Sequence, residues 1–238
     1  MDMIDKAEQY CFLAPLDRGP RGNTTEQVAR SLRAAIVGLD FAPGEFIDKK
    51  AVCARLGVSR FPVSEALAHL AVEGLVEVLP QRGTRAARIR LAEITESMLI
   101  RRALETMIAE TAARRLPSPV LAALRQNLEA QEEAVAKGNR AVFHALDLAF
   151  HALLVDGLEL PRVAAVIEAS RANIDRVRRL LSSPRRHAFT LAEHRELLKA
   201  LEAHDAVAAR RAMEAHLEAV MQELERFSAD HPEVFAPE

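Results

Sequence analysis

The spacing of apolar residues along this chain changes twice, near residue 74 and again near residue 90. After Asn23 or Thr24, either of which can cap a helix, Val28, Leu32, Ala35 and Ile36 recur at helical spacing as far as Gly38. Phe41-Ala42-Pro43-Gly44-Glu45 reads as a turn or loop. Asp48 caps a short helix carrying Ala51, Val52 and Leu56, which Gly57 stops. Ser59 caps the next, striped by Val63, Ala66, Leu67 and Leu70. Pro62 fits there because the first helical turn has no internal donor to lose. Past Gly74, residues 75–79 and 84–89 read as short strands around Pro80-Gln81-Arg82-Gly83.

From residue 91 onward the pattern is helical, with spans expected at about 91–115, 119–137, 140–155, 161–181, 190–203 and 206–228. Pro117-Ser118-Pro119, Gly138-Asn139, Gly157 to Pro161, Ser182-Ser183-Pro184 and His204-Asp205 separate them. The fold class is therefore mainly α: an N-terminal winged helix-turn-helix followed by an all-α helical bundle. Residues 1–22 hold scattered charge with Pro15, Gly19, Pro20 and Gly22 and are expected to be a flexible tail. Residues 23–90 then form the first domain and 91–230 the second.

Charge sharpens this division. The net charge of −2 conceals a net of +4 over residues 21–90 and of −4 over residues 91–238. A basic front on an acidic back points to a nucleic-acid module joined to something else. The 4% aromatic content speaks against single-strand or RNA binding, which uses stacking platforms. No run of 18 or more apolar residues is present and the N-terminus lacks a signal-peptide pattern. With only Cys11 and Cys53, no disulfide framework is indicated, so a cytoplasmic setting without a membrane partner is expected.

In a helix-turn-helix the second helix reads the major groove of double-stranded DNA. Arg60, Phe61 and Ser64 avoid that helix's apolar stripe and face outward, and Arg60 can reach guanine or phosphate. Lys49 and Lys50 open the preceding helix, where backbone contacts belong, and Arg82 beside Gly83 forms the wing tip. The sequence from Gly57-Val58-Ser59-Arg60-Phe61-Pro62-Val63-Ser64-Glu65-Ala66-Leu67 to Glu73-Gly74-Leu75-Val76 closely resembles the GntR family of bacterial transcription regulators. Ala42-Pro43-Gly44-Glu45 and Arg82-Gly83-Thr84 fit the same family, so the likeness covers residues 25–90. It implies DNA contacts at Lys50, Arg60, Ser64 and the wing around Arg82-Gly83. Ser64 stands where the family usually has arginine, which changes what can be read at that base.

Seven of the eight histidines lie beyond residue 140. Asp147 and His151 are four apart and share a helix face. His194 and His216 flank the turn at His204-Asp205, each roughly 15–17 Å from it at 1.5 Å per residue, so both can sit at one level of an antiparallel pair. A helix bearing Asp147 beside them would bring a carboxylate and three imidazoles together, a set suited to divalent Zn, Mn or Ni. His187 in a loop, His204 in the turn and His231 in the tail read as ordinary residues. His144 is a decoy or an outer group, and Glu193 is expected to point away from the site.

The same four positions resemble the ligand pattern of the FCD effector domain of FadR-type GntR regulators, and Arg101-Arg102-Ala103-Leu104-Glu105 resembles a stretch of its first helix. The resemblance implies a bound metal, a small organic-acid effector and a homodimer. Arg101 is the expected carboxylate partner, because guanidinium matches that group bidentately, with Arg171 and Asn173 as further pocket residues. The expected function is a DNA-binding regulator whose operator affinity follows a carboxylate metabolite at the metal. The alternatives are a regulator with a purely structural metal, or a metal-dependent hydrolase.

Overall fold

The computed structural model describes residues 10–16 and 24–237 and, within these, the backbone but not the side chains of residues 171–173. The chain forms two compact units, one comprising residues up to Arg90 together with Pro232 onward, the other Leu91–His231.

In the first unit, α1 (Thr24–Gly38), α2 (Lys49–Leu56) and α3 (Arg60–Val72) surround a core of Val28, Leu32, Ile36, Phe41, Val52, Leu56, Val63, Leu67 and Leu70. Asp48 caps α2, its Oδ1 accepting from Lys50 N at 2.8 Å and Ala51 N at 3.4 Å. Gly57 ends α2 at φ +69°, a left-handed conformation that only glycine adopts without steric cost, and so makes the tight turn into α3. Ser59 stands at the α3 N-cap as expected, but its side chain makes no capping bond.

The wing is a two-stranded antiparallel sheet, β1 (Val76–Leu79) and β2 (Gly83–Ala86), shorter than the sequence pattern indicated. The expected loop ahead of α2 gives it a third edge: Gly44 N donates to Ala86 O, Ala86 N to Glu45 O, and Ile47 N to Thr84 O. The last residues of the chain join this unit as well. Ile89 N donates to Val234 O at 3.2 Å, Ala236 N donates to Ile89 O at 2.8 Å, and Phe235 is buried there.

Part of the expected tail is structured. Leu13 and Tyr10 are buried, and residues 10–16 hydrogen-bond to α2. Scattered polarity hid them, because the partners of these few apolar side chains lie some forty residues away.

The second unit consists of α4 (Leu91–Arg115), α5 (Ser118–Ala136), α6 (Arg140–Asp156), α7 (Pro161–Ala169), α8 (Arg171–Leu180), α9 (Pro184–Glu202) and α10 (Ala206–Asp230). Helix α10 packs on α4 and α9, and α5 packs on α6 and α9, around Ile108, Leu124, Phe150, Leu154, Leu197, Met213 and Leu217.

Two helical expectations need correction. The span expected at 161–181 breaks at Ser170, whose hydroxyl donates to Ile167 O at 2.8 Å and competes with the helical ladder. Helix α9 begins at Pro184 rather than near 190. The proline opens the helix, and Ser183 Oγ caps it by accepting from Arg186 N at 3.1 Å. His187 is therefore a buried helical residue stacked on Phe143 at 4.3 Å, not a loop residue. Among the described residues no helix is long and apolar enough to cross a membrane.

Candidate functional site

Helical periodicity places Asp147 and His151 on the inner face of α6, while α9 contributes His194 and α10 contributes His216. All four are buried, and one ligand atom from each lies within 4.8 Å of all the others. His194 Nε2 is 3.6 Å and His151 Nε2 4.0 Å from Asp147 Oδ1. The three rings are mutual neighbours, with centroids 4.8 to 5.4 Å apart, and Phe150 stacks on His194 at 4.2 Å.

Each imidazole is held from behind by its other nitrogen. His151 Nδ1 lies 2.7 Å from Glu105 Oε2 on α4, and His194 Nδ1 lies 3.0 Å from Gln131 Oε1 on α5. His216 Nδ1 lies 2.7 Å from Glu193 Oε2 on α9. At His194 and His216 the acceptor puts the proton on Nδ1 and leaves the Nε2 lone pair free, and His151 turns its Nε2 toward the Asp147 carboxylate. Those three buried Nε2 atoms have no hydrogen-bond partner. Burial, reinforced by the neighbouring imidazoles and Arg178 and only partly opposed by Asp147, holds His194 and His216 well below the usual histidine range, so both are neutral at physiological pH. Convergent imidazoles beside a carboxylate are a donor set that suits a divalent ion.

Three carboxylates at the site are matched by three arginines. Arg101 pairs with Glu105 through Nε at 2.5 Å and Nη2 at 3.2 Å, and both side chains are sealed in the core. Arg178 pairs with Asp147, and Arg186 grips Glu193 with both terminal nitrogens at 2.9 and 3.0 Å. Burial alone would raise the Asp147 pKa, but the Arg178 charge and the surrounding imidazoles outweigh it and hold the carboxyl well below the usual range.

Glu193, expected to point away, instead points at His216, because α9 presents it toward α10. Gln131 and Arg178 were not singled out by sequence reasoning, and Glu105 entered it only as the end of the first-helix stretch that resembles the FCD domain. Only Glu105 had a local signal, its i,i+4 spacing to Arg101. Arg101 lies beside the site but is committed to Glu105. Arg171 and Asn173 open α8, and their side chains lie outside the described residues. His204 is in its turn at φ +55°, with Nδ1 3.0 Å from Ala113 O, and His144 is half-buried outside the four-residue set.

In the first unit, Lys50, Arg60, Phe61, Ser64, Arg82 and Gly83 are exposed and Lys49 is half-exposed. The α3 stripe of Val63, Ala66, Leu67 and Leu70 is fully buried, which leaves Arg60, Phe61 and Ser64 on the solvent side. Phe46 was missed: it is exposed beside the wing, its ring 3.8 Å from where a side chain on Gly83 would begin.

Residues 24–85 match the family described as bacterial regulatory proteins, gntR family, and residues 80–219 match the FCD domain. The HTH-type transcriptional repressor RspR of Escherichia coli (strain K12) is 32% identical over 223 residues, which cover 92% of this chain and 96% of that one. An uncharacterized HTH-type transcriptional regulator in an unstable DNA locus of Streptomyces ambofaciens is 35% identical over 210 residues, 86% of each chain. The solved structure of E. coli McbR/YncC shares the fold, with a TM-score of 0.71 at 23% identity over 87% of this chain and 99% of that one. A winged helix-turn-helix, an all-α unit with a buried histidine cluster and these matches together show that the chain belongs to the gntR family of bacterial transcriptional regulators and carries an FCD domain.

Proposed function

We propose that this regulator adjusts its operator affinity in response to a small organic acid docked at a divalent metal held by Asp147, His151, His194 and His216. The observation that carries the proposal is the convergence of three orphaned, buried Nε2 atoms on Asp147, with His194 and His216 oriented by hydrogen bonds at Nδ1 and His151 Nδ1 2.7 Å from the Glu105 carboxylate. A bound ion would supply coordination positions for a carboxylate. Arg101, Arg178 and Arg186 pair with Glu105, Asp147 and Glu193, so each of these three carboxylates already has a cationic partner. A divalent ion would then leave the site positive, which favours an anionic ligand. Arg101 and Arg178, now paired with Glu105 and Asp147, are the nearby cations proposed to meet its carboxylate, with Arg171 and Asn173 as further candidates.

At the DNA, Arg60, Phe61 and Ser64 read the major groove, Lys49 and Lys50 hold the backbone, and Arg82 with Gly83 serves the wing. The protein acts as a homodimer on a pseudo-palindrome. The exposed row of Leu99, Ile100 and Met107 along α4 supports self-association. Glu193 is engaged by Arg186 and His216, which favours an orienting role over that of a hydrolytic base.

Metal analysis of the purified protein, with a chelated control, tests the site. Calorimetric titration of the loaded and stripped protein with a panel of organic acids then tests the ligand. One equivalent of metal and acid binding only to the loaded form are the expected results. A folded protein that takes up no stoichiometric metal under any loading condition defeats the proposal.

A further inference from the structure

The DNA-binding unit contains an element that lies ahead of the segment matching the gntR family, which begins at residue 24. Residues 10–16 run along α2 and are bonded at both of its ends. At the C-terminal end, Arg55 Nε donates to Leu13 O at 2.7 Å, Arg55 Nη2 donates to Cys11 O at 2.9 Å, and Leu16 N donates to Leu56 O at 3.3 Å. At the N-terminal end the Tyr10 hydroxyl accepts from Asp48 N at 3.0 Å and donates to Phe46 O at 3.5 Å. The Tyr10 ring is anchored against Phe41 at 4.8 Å and Phe12 at 5.6 Å.

Helix α2 has only eight residues, too few to be stable alone, so its placement depends on the core packing of Ala51, Val52 and Leu56 and on what grips its ends. Asp48 is its cap, and Asp48 Oδ1 binds the backbone N–H groups of Lys50 and Ala51. Ring packing alone would be served equally well by phenylalanine. The Tyr10 hydroxyl does something packing cannot: it holds the backbone of the cap from which Lys49 and Lys50 project.

We infer that Tyr10 is a positioning residue for DNA binding, its hydroxyl fixing the Asp48 cap so that Lys50 meets the DNA backbone, with residues 10–16 forming a strap across α2. This rests on the reading of Lys50 as a phosphate contact. A lysine on a fixed helix start loses less conformational freedom on binding than one on a frayed start, so the strap strengthens that contact without touching DNA.

A double-mutant cycle tests this, using a duplex selected from a random pool by the wild-type chain and a salt series. Tyr10→Phe is expected to weaken binding about five-fold, the effect of one lost hydrogen bond. It should also lower the magnitude of the salt slope by up to about 0.9, the share of one phosphate. In a Lys50→Ala background the same substitution should have no further effect, because the contact it supports is gone. A purely structural role would instead lower the melting temperature and weaken binding equally in both backgrounds. Unchanged affinity for Tyr10→Phe, or a full loss that persists beside Lys50→Ala, overturns the inference. If Lys50→Ala alone leaves affinity and salt slope unchanged, the Lys50 reading fails and the inference falls with it. If Lys50→Ala weakens binding while Tyr10→Phe does not, the inference alone fails.

Discussion

Glu193 Oε2 lies 2.7 Å from His216 Nδ1, joining two helices through residues 23 positions apart. Arg186 holds Glu193 from the other side with two hydrogen bonds, so the carboxylate can neither rotate away nor release the imidazole easily. The His216 ring is thereby fixed with Nε2 toward His151, His194 and Asp147. Outer partners of this kind set both tautomer and ring orientation.

Glu193→Ala should accordingly weaken metal binding about 10- to 100-fold, while Glu193→Gln, which keeps an acceptor, should lose less. Competition against a chelator of known affinity measures both. Equal affinities for wild type and Glu193→Ala would show that the ring needs no such partner.

His194→Ala combined with His216→Ala should abolish metal-dependent stabilisation. For the wild type, free metal at a hundred times its dissociation constant should add about 2.7 kcal/mol. Thermal melts with and without metal check this. A double variant stabilised as much as the wild type would place the metal elsewhere.

Stability of the metal-free protein should fall as the solution is acidified. Burial depresses the folded-state pKa values of His194 and His216, and that of His187 to a lesser extent, below the ordinary 6.5. Below that value the unfolded chain binds more protons than the native one, so stability present above pH 6.5 is lost as pH drops. Each fully neutral buried histidine contributes a slope of about 1.4 kcal/mol per pH unit. Urea unfolding of chelator-treated protein between pH 7.5 and 5.5 measures this, and a flat profile would refute it.

Arg60→Ala should weaken binding to the selected duplex by about 1–3 kcal/mol if this side chain reads a base. Ser64→Arg should add a bidentate donor and shift base preference at one position in each half-site. Selection from a random pool with each variant reads out both effects, and an unchanged motif for Ser64→Arg would mean that position 64 does not face the bases.

Phe235→Ala should destabilise the DNA-binding unit by about 3 kcal/mol, because Phe235 is buried on that unit although it lies near the end of the chain. Hydrogen exchange at Ile89 and Ala236 should accelerate with it, since both amides are bonded across this contact. Exchange unchanged at these amides would show the segment to be dispensable.

Local periodicity made much of this protein legible from its sequence. The α3 stripe is read from spacing alone because a helix turns about 100° per residue, and the Asp147–His151 pair from a separation of four. Asp48 and Gly57 marked the ends of α2 because capping and left-handed backbone are properties of single residues. Resemblance supplied what spacing could not, namely that residues on three helices form one set. The tertiary structure alone decided which groups stand behind those four residues. Gln131 meets His194 across 63 residues, Arg178 meets Asp147 across 31 and Tyr10 meets Asp48 across 38. No periodicity records such pairs, since each partner's own helix or segment specifies only which way it faces. Which face it meets is settled when the whole core packs, and there a buried acceptor or cation is stable only where its counterpart arrives.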